Sequence, residues 1–380
     1  MRKIFNFITS LLAVSFIATG CNSPKEVFEC KINELEGLQE LQDEKTKTFF
    51  SDDNYEEIAN SMHTAEEHSL PNPVKLSREK VEGIETYYVK ISEMENFDDY
   101  LEIEVNDNHF DFYNSKINTK YYYSIGKAEK NNSEIIYSNV HTFTTSDSIV
   151  RNLNVGGVTN FRDLGGLPGI KQGLIYRSAA FNNFKVGNVT YNVTDEGSFT
   201  IRHQLGIKTE IDIRRTDETA AISESVIGND VLYLPAPMYY SGQNILTYTG
   251  SSGGVTYDNP KQIKVIFNYL SDEGMYPIDI HCVRGTDRTG CIAFLIEGLL
   301  GVEEDLLYRD YLYSNFGRID SNVKLSNIYD TMSTENKGKY VNILKNYEGT
   351  TLQNKIYNYL NREIGVTQEN LNKVINILSE

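Results

Sequence analysis

The chain has 380 residues and a formal net charge of −17 at pH 7. This length exceeds the usual size of one domain and allows two folded units besides a short export segment. The charge is uneven, because residues 23–147 hold 12 basic and 27 acidic side chains, whereas residues 148–380 hold 22 basic and 26 acidic ones. An acidic chain does not attract nucleic acid through its backbone charge, so no nucleic-acid partner is expected.

Residues 1–21 have the pattern of an export signal. Arg2 and Lys3 precede an apolar run over residues 4–17, which is too short and too interrupted by polar residues for a membrane span. The run ends in the letters ATGC, and small residues directly before a cysteine resemble the cleavage box of bacterial lipoproteins. The resemblance implies that Cys21 is lipidated and anchors an exported protein to the cell surface or the periplasmic face of a membrane. An ordinary cleaved signal peptide is the alternative.

Residues 22–68 are rich in Glu, Asp, Lys, Ser and Asn, with scattered apolar positions. Their low hydrophobicity predicts an acidic linker that holds the rest of the chain off the membrane. An ordered segment packed on the next domain is the open alternative.

Residues 69–147 change to short runs of alternating polar and apolar residues, separated by Asn, Asp and Gly. This period-2 pattern, rich in Tyr, Ile, Val and Thr, predicts a small all-β sandwich. The runs TKYYYSIGKA and YSNVHTFTT resemble the last two strands of a fibronectin type III module. Paired acids such as Asp98 and Asp99 fit solvated turns better than calcium ligands, and the module is interpreted as a stalk or an interaction surface.

Residues 148–380 alternate strand and helix patterns up to about residue 300 and are helical beyond it. Such alternation predicts an α/β fold with a central, largely parallel sheet flanked by helices. The letters YPIDIHCVRGTDRTG at residues 276–290 predict a strand, a tight loop and a helix start. Cys282 lies in this loop, and Cys291 on the following helix is interpreted as a core residue.

The loop combines the residue types that phosphoryl transfer to sulfur requires. Cys282 precedes a helix N-terminus and nearby cations, which lower a thiol pKa. Gly285 lets successive backbone N–H groups of residues 283–288 point inward as a nest for an oxyanion. Arg288 can hold two oxygens of that anion, and Thr289 can stabilise the leaving thiolate. The predicted phosphate-binding residues are Val283, Arg284, Gly285, Thr286, Asp287 and Arg288.

HCVRGTDRTG resembles the His-Cys, five residues, Arg-Ser/Thr loop of the protein tyrosine and dual-specificity phosphatases. With NFRDLGG, the G-x-I-Y-R-S run, LGIKTEIDIR and RDYLYSN, the chain is similar in order to bacterial secreted tyrosine phosphatases related to the mycobacterial triple-specificity enzyme and the Listeria lipid phosphatase. The resemblance implies a cysteine-dependent phosphatase fold and activity on phosphotyrosine, often phosphoserine or phosphothreonine, and in several members phosphoinositides. Thr286 stands where that family usually has Lys.

Two aspartates are candidates for the general acid that protonates the leaving oxygen. Asp287 matches the loop aspartate of the family and is the first choice. Asp212, at the end of a strand in EIDIRR, is the second, and its alternative role is to brace Arg214 or the loop.

Several other residues are interpreted as supporting ones. The front motif of the family maps onto Asn160, Arg162, Asp163 and Arg177, which we expect to brace the phosphate loop from behind. His281 directly precedes the nucleophile and is placed with them. Residues 239–259 form either a lid over the site or an ordinary surface excursion.

The sequence therefore predicts a lipid-anchored phosphatase with no metal or organic cofactor, acting on phosphorylated proteins or small phosphomonoesters through a phosphocysteine. A phosphoinositide or inositol polyphosphate phosphatase is the alternative within enzymes. A surface adhesion lipoprotein with a silent phosphatase domain is the alternative from another class. Rhodanese-type sulfur transfer is disfavoured, because its active loop usually spaces Cys and Arg more closely.

Overall fold

The computed structural model describes residues 27–128, 134–219, 222–240, 245–332 and 339–380. The predicted export signal and Cys21 lie outside the described residues. None of the helices in these five ranges has both the length and the apolarity that a membrane crossing needs.

The segment predicted as an acidic linker is divided between the two folded units. Its strands β1 (Ile32–Asn33) and β2 (Leu38–Gln39) join sheets of the first unit. Its helices α1 (Glu44–Ser51) and α2 (Tyr55–Met62) pack against the second unit. The linker prediction is therefore corrected over residues 27–68.

Few apolar residues suffice to bury α1 and α2. Asp43 caps α1 by accepting a hydrogen bond from the Thr46 amide, as short polar side chains do at helix starts. Phe49 is fully buried, and its ring lies 5.1 Å from that of Phe316 in the second unit. Two adjacent phenylalanines thus provide packing that the mostly polar and charged composition of the segment does not indicate.

The first unit contains the strands β3 (Val74–Arg78), β4 (Tyr87–Ser92), β5 (Leu101–Val105), β6 (His109–Phe112), β7 (Lys120–Ala128), β8 (Ile135–Tyr137) and β9 (His141–Thr145). One sheet has the order β1-β3-β6, and the other has β2-β9-β7-β4-β5 with β8 paired to β7. Tyr87, Val89 and Ile91 of β4 are buried, whereas Tyr88 and Lys90 are half-buried. One apolar core includes strands of both sheets, which supports the predicted sandwich; its likeness to fibronectin type III stays a prediction.

The second unit contains a mixed sheet and surrounding helices. Its strands are β10 (Arg151–Asn152), β11 (Arg162–Asp163), β12 (Ile175–Ser178), β13 (Phe184–Val186), β14 (Val189–Tyr191), β15 (Thr209–Asp212), β16 (Leu232–Pro235), β17 (Thr249–Ser252), β18 (Val255–Asp258) and β19 (Ile278–His281). Its α-helices are α3 (Asp195–Phe199), α4 (Asn259–Leu270), α5 (Asp287–Leu299), α6 (Glu304–Tyr313), α7 (Tyr340–Lys345), α8 (Leu352–Asn358) and α9 (Gln368–Leu378). Short 3₁₀ or π turns cover Leu164–Gly166, Thr200–Gln204, Glu273–Met275, Ser314–Phe316, Leu325–Asn327 and Tyr359–Glu363.

The main sheet has the strand order β10-β11-β12-β19-β15-β16. β12, β19, β15 and β16 run parallel to one another, and β10 and β11 add an antiparallel edge next to β12. The expected α/β fold with a largely parallel sheet is confirmed, and the sheet is mixed because of its antiparallel edge. β19 lies between β12 and β15, so its carboxyl end opens at the middle of the sheet, where ligands of α/β proteins usually bind.

The two faces of the parallel strands differ in chemistry. Ile175, Ile278 and Ile211 point to the large core that α5 and its neighbouring helices share. The opposite face carries Tyr176, Asp279 and Glu210 in register, all buried. A polar face inside a fold is stable only where its groups pair with one another.

A buried junction joins the first unit to the main sheet. Arg151 donates from Nη2 to the carbonyl of Asn114 at 2.9 Å and pairs with Asp163. Gln172 exchanges two hydrogen bonds with the backbone of Ile117, at 2.9 and 3.1 Å. Since these partners are backbone groups and buried charges, the first unit is held firmly against the second.

Candidate active site

The loop of residues 282–286 connects β19 to α5. β19 is buried along its whole length, with parallel partners on both sides. Gly285 adopts φ +70°, and a Cβ there would lie 2.3 Å from the carbonyl oxygen of Ser178. Only glycine allows both the left-handed turn and this close approach to β12.

Three carbonyls of the loop are held from one side. The Ala180 amide donates to Val283 O at 3.1 Å, Asn160 Nδ2 donates to Arg284 O at 3.0 Å, and Arg177 Nη2 donates to Gly285 O at 2.7 Å. In a trans peptide the C=O and the following N–H point in opposite directions. The amides of residues 284, 285 and 286 are therefore directed away from these three partners, into the concave side of the loop.

Cys282 is buried, with 3% of its surface exposed. Burial raises the pKa of its thiol, but Arg288 and the hydroxyl and amide of Thr289 outweigh burial and lower that pKa below the ordinary value. Thr289 Oγ1 is buried and has no other partner of ordinary hydrogen-bond geometry among the described residues. The surroundings of Cys282 therefore favour a thiolate, the form in which cysteine is nucleophilic.

Arg288 is the second residue of α5, and its guanidinium contacts two groups outside the loop. Its Nη1 donates to Glu218 Oε2 at 2.7 Å and to the carbonyl of Met238 at 3.2 Å. Burial raises the pKa of the Glu218 carboxyl, but Arg288 lowers it overall. Sequence reasoning did not select Glu218; the run RRTDE, a charged loop at a strand end, was the available signal.

The residues that hold the loop from behind meet at Asp310 of α6. Arg162 donates from Nε to Asp310 Oδ1 at 2.6 Å, and Arg177 donates to Asp310 Oδ2. Arg162 also donates from Nη1 to Asn160 Oδ1 at 2.5 Å. Arg162, Arg177 and Asp310 are all nearly fully buried, so one carboxylate neutralises two guanidinium groups and orients both.

Glu297 of α5 lies beside this cluster. Burial raises the pKa of the Glu297 carboxyl well above its ordinary value, and the Asp310 charge adds to the effect. Burial also raises the pKa of Asp310, but Arg162 and Arg177 lower it overall. Asp310 is therefore the ionised partner and Glu297 the neutral one. Neither Asp310 nor Glu297 was selected from the sequence.

Asp163 does not reach the loop. It pairs with Arg151 and accepts hydrogen bonds from the amides of Gly165 and Gly173 at 2.8 and 2.6 Å. It therefore organises the start of the sheet and the junction with the first unit.

Asp287 is the first residue of α5, and its carboxylate accepts a hydrogen bond from the Tyr311 hydroxyl at 3.1 Å. Burial raises the pKa of Asp287 above its ordinary value, although Tyr311, Tyr240, Arg288 and Arg284 each lower it in part. A carboxyl with a raised pKa, one residue from Arg288, has the properties of a proton donor.

Asp212 is the second sequence candidate and has different surroundings. Arg214 binds both of its carboxylate oxygens at 2.7 to 3.0 Å, and the Tyr233 hydroxyl donates to Oδ2 at 2.9 Å. Burial raises the pKa of Asp212, but His281 and Arg214 lower it overall. Asp212 therefore braces Arg214.

His281 lies between two carboxylates behind the nucleophile. Its Nε2 is 2.9 Å from Glu210 Oε1, and its Nδ1 is 3.9 Å from Asp212 Oδ1. Burial lowers the pKa of His281, but Asp212 and Glu210 raise it to about 9 overall. Within the described residues these three side chains also lie as close together as metal ligands would, but the imidazolium and Arg214 already neutralise the carboxylates.

The remaining loop side chains have separate positions. Arg284 is exposed and donates from Nε to the carbonyl of Ile319 at 3.0 Å. Thr286 is buried, and its hydroxyl donates to the carbonyl of Arg284 at 3.4 Å. The position of Thr286 therefore offers no cation to a second phosphate group.

The excursion of residues 239–259 is fixed where it begins and ends. Asn259 bonds to both the amide and the carbonyl of Tyr239 at 2.8 Å and donates to the carbonyl of Ile245 at 2.7 Å. β17 and β18 pair as a hairpin within it, and residues 241–244 lie outside the described part. Tyr239 and Ile245 are thus both anchored to Asn259, and Tyr240, next to Tyr239, acts on Asp287.

Comparisons with known proteins agree with this site. A family model described as "Tyrosine phosphatase family" matches residues 153–380. The triple specificity protein phosphatase PtpB of Mycobacterium tuberculosis is 26% identical over 196 residues, which cover 42% of this chain and 67% of that protein.

Two solved structures can be set beside the chain. The core catalytic domain of the PP-IP phosphatase SIW14 from S. cerevisiae is 14% identical, with a TM-score of 0.30, over 56% of this chain and 96% of that one. TpbA of P. aeruginosa is 17% identical, with a TM-score of 0.27, over 42% of this chain and 75% of that one.

Proposed function

Because the chain belongs to the tyrosine phosphatase family and is a cysteine-based protein-tyrosine or dual-specificity phosphatase, we propose that it hydrolyses phosphotyrosine monoesters through a phosphocysteine on Cys282. Phosphoserine and phosphothreonine are proposed as secondary substrates. The observation that carries the proposal is the convergence of a thiol of lowered pKa, Arg288 and three inward amides on one concave loop.

In the first step the Cys282 thiolate attacks phosphorus and the ester oxygen leaves. The transferred phosphoryl group carries its charge on three oxygens, which need preorganised donors. The amides of residues 284–286 and the guanidinium of Arg288 are the donors we assign to them. Arg288 either releases Glu218 and donates to the substrate oxygens, or keeps one nitrogen on Glu218 and donates to the substrate from another.

In the second step water attacks phosphorus and Cys282 leaves as a thiolate. Thr289 is assigned the stabilisation of that thiolate, since its hydroxyl is buried beside Cys282 and has no other partner of ordinary geometry in the described ranges. His281, held as an imidazolium behind Cys282, adds a positive charge to the same end of β19.

The site favours Asp287 over Asp212 as the general acid. Asp287 has a raised pKa and lies at the helix start next to Arg288, whereas Asp212 has a lowered pKa and is bound to Arg214. A carboxyl must be protonated to donate to the leaving oxygen. We therefore assign the proton to Asp287 and a bracing role to Asp212.

Asp287→Asn is expected to slow hydrolysis of phosphotyrosine peptide by about 10²-fold, the lower part of the range for a general acid. The pH-rate profile should lose its basic limb, because activity falls as pH rises through the pKa of the acid. The defect should shrink for aryl phosphates with good leaving groups. Asp212→Asn is the comparison: if it loses the basic limb while Asp287→Asn keeps it, the two roles are exchanged.

Thr289→Val is expected to move the acid limb of kcat/KM to higher pH by about one unit, the scale of a lost charge-assisted hydrogen bond. The lost hydroxyl helps to lower the pKa of Cys282, so less thiolate remains at low pH. The pH dependence of alkylation of Cys282 measures the same pKa directly. An unchanged alkylation profile would remove Thr289 from the role assigned here.

A phosphoinositide or inositol polyphosphate is the second substrate class. Such ligands carry several phosphates and need further cations around the pocket. Thr286 provides none, and Arg284 is the exposed cation of the loop itself. We therefore propose phosphotyrosine, ahead of phosphoinositides and inositol polyphosphates, as the preferred substrate.

A substrate panel tests this order. The purified protein is offered phosphotyrosine, phosphoserine and phosphothreonine peptides, phosphoinositides in vesicles and soluble inositol polyphosphates, with phosphate release measured as kcat/KM. We expect the phosphotyrosine peptides to be hydrolysed fastest. A higher kcat/KM for inositol phosphates would replace the substrate class, and no turnover of any substrate would favour the silent, adhesive alternative.

We also propose that Cys21 carries a lipid anchor and that the first unit is a fibronectin type III-like stalk or interaction surface. The anchor proposal is supported by the cleavage-box resemblance before Cys21. Mass spectrometry of the mature amino terminus tests it, and an unacylated terminus would end it.

A further inference from the structure

Three consecutive residues of α6 contact three different parts of the catalytic unit, by which we mean the second unit together with α1 and α2. Arg309 donates to the carbonyls of Phe49 and Asp52 at the end of α1, at 2.5 and 3.0 Å. Asp310 binds the two arginines behind the phosphate loop. Tyr311 donates to Asp287. The first contact fixes the helix, and the other two extend from the fixed helix to the loop.

From this geometry we propose that Tyr311 is a positioning residue for the general acid: its buried hydroxyl fixes one carboxylate oxygen of Asp287 and assigns the transferable proton to the other. The inference rests on the proposed function, because it gives a role to a residue only if Asp287 is the acid. It adds a residue that neither the motif nor the sequence analysis assigned.

The contact is built into the packing of α5 against α6. Tyr311 is 1% exposed, so its ring cannot turn to solvent. Gly290 makes room for it, since a Cβ there would lie 3.0 Å from Cδ2 of the Tyr311 ring and 3.3 Å from Nη2 of Arg177. A side chain in place of the glycine that ends the HCVRGTDRTG motif would therefore have to displace the Tyr311 ring or the Arg177 guanidinium by a few tenths of an ångström.

The hydroxyl of Tyr311 acts as a donor. Burial raises the pKa of Tyr311 well above its ordinary value, and the nearby Asp287 and Tyr240 raise it further. The phenol therefore keeps its proton while Asp287 gains and loses its own. Because the Tyr311 hydroxyl donates to Oδ1, the proton of the neutral acid resides on Oδ2.

The groups that face Asp287 come from several elements. Arg284 and Arg288 belong to its own loop and helix, Tyr311 comes from α6, and Tyr240 comes from the excursion. The charge of Cys282 also acts on Tyr240. The two arginines cannot be changed without disturbing phosphate binding, so the two tyrosines are the partners that can be tested, and Tyr311 is the one whose hydrogen bond to Oδ1 carries the proposal.

Tyr311→Phe keeps the ring and removes only the hydroxyl. A donor to a carboxylate stabilises its ionised form, so removing it raises the pKa of Asp287. We expect the basic limb of the pH-rate profile to move to higher pH by about 0.5 to 1 unit, the scale of a single hydrogen bond to a charged group. The kcat for phosphotyrosine peptide should fall several-fold, with little change for an aryl phosphate with a good leaving group.

Tyr313→Phe is the matched control. Tyr313 lies two residues further along α6, is equally buried, and bonds through its hydroxyl to Thr46 and Asn152, away from Asp287. It loses the same atom from the same helix, so it should lower thermal stability without moving the pH profile. If lost stability alone changed the pH profile, Tyr311→Phe and Tyr313→Phe would both show the change.

The possible outcomes distinguish a failure of the positioning role of Tyr311 from a failure of the proposed function. A Tyr311→Phe profile that superimposes on that of the unchanged protein overturns the positioning role, whatever its effect on stability. A basic limb that persists in Asp287→Asn overturns the choice of acid, and absent hydrolysis by the unchanged protein overturns the proposed function. In the double variant Tyr311→Phe/Asp287→Asn, we expect no further change in the profile.

Discussion

Cys282→Ser is expected to reduce hydrolysis of a small aryl phosphate by roughly 10⁴-fold or more, the scale of losing a covalent nucleophile. A serine hydroxyl stays protonated in surroundings that favour a thiolate. Phosphate binding should survive, because the loop amides and Arg288 are unchanged. The measurements are the initial rate and, in the unchanged protein, mass spectrometry of acid-quenched phosphocysteine on Cys282.

Cys291→Ala provides the matched control for Cys282→Ser. Cys291 of α5 lies in the core of the second unit, and burial raises the pKa of its thiol far above the ordinary value. It should remain an inert thiol, so its loss should leave the rate largely intact. EDTA should also leave the rate unchanged. A fully active Cys282→Ser protein would contradict the phosphocysteine route.

Asp310→Asn should destabilise the catalytic unit by about 3 kcal/mol, the lower end for a broken buried ion pair. Two buried arginines lose their shared anion, and Glu297 can ionise to replace part of its charge. Since Arg177 and Asn160 hold the loop through this cluster, activity should fall by roughly 10²-fold, as small displacements at a reacting centre can cause. Urea unfolding and kcat/KM measure the two effects.

Asp305→Asn tests whether the effect belongs to the buried cluster. Asp305 lies on the same helix and pairs with Arg309, but its side chain is 55% exposed. Removing an exposed partner usually costs less than about 1 kcal/mol. Equal losses in the two variants would contradict the role assigned to Asp310.

The sequence was sufficient to predict the α/β phosphatase fold, because the central motif and the strand-helix alternation both occur in short contiguous segments. It also predicted residues that the structure gathers around one loop, among them Cys282, Arg288, Asn160 and Arg177. Those predictions relied on local spacing and on family motifs. Roles at these positions stay predictions until the variants are measured.

The partners missed by the sequence analysis are brought to the site by distant elements. Asp310 lies in the RDYLYSN run, but its role was missed because only the packing of α6 buries it and brings it to Arg162 and Arg177. Glu218 meets Arg288 across a separation of 70 residues. The linker prediction missed α1 and α2 because their apolar residues are few, although these residues enter a core formed by residues far along the chain.

The contact of Arg309 with the end of α1 joins residues 260 positions apart. During synthesis α1 and α2 leave the ribosome long before α6 exists. The β-rich first unit, most of which is encoded between α2 and the second unit, can fold before α6 is made. Contacts of such long range slow folding and leave apolar surface exposed meanwhile. Strands β3 to β9 of the first unit are thus inserted between α1 and α2 and the rest of the catalytic unit, and a protease cut within this stretch should leave the two fragments bound to each other. Active enzyme should therefore appear only after α6 and the turn that follows it have packed against Phe49 and Phe50.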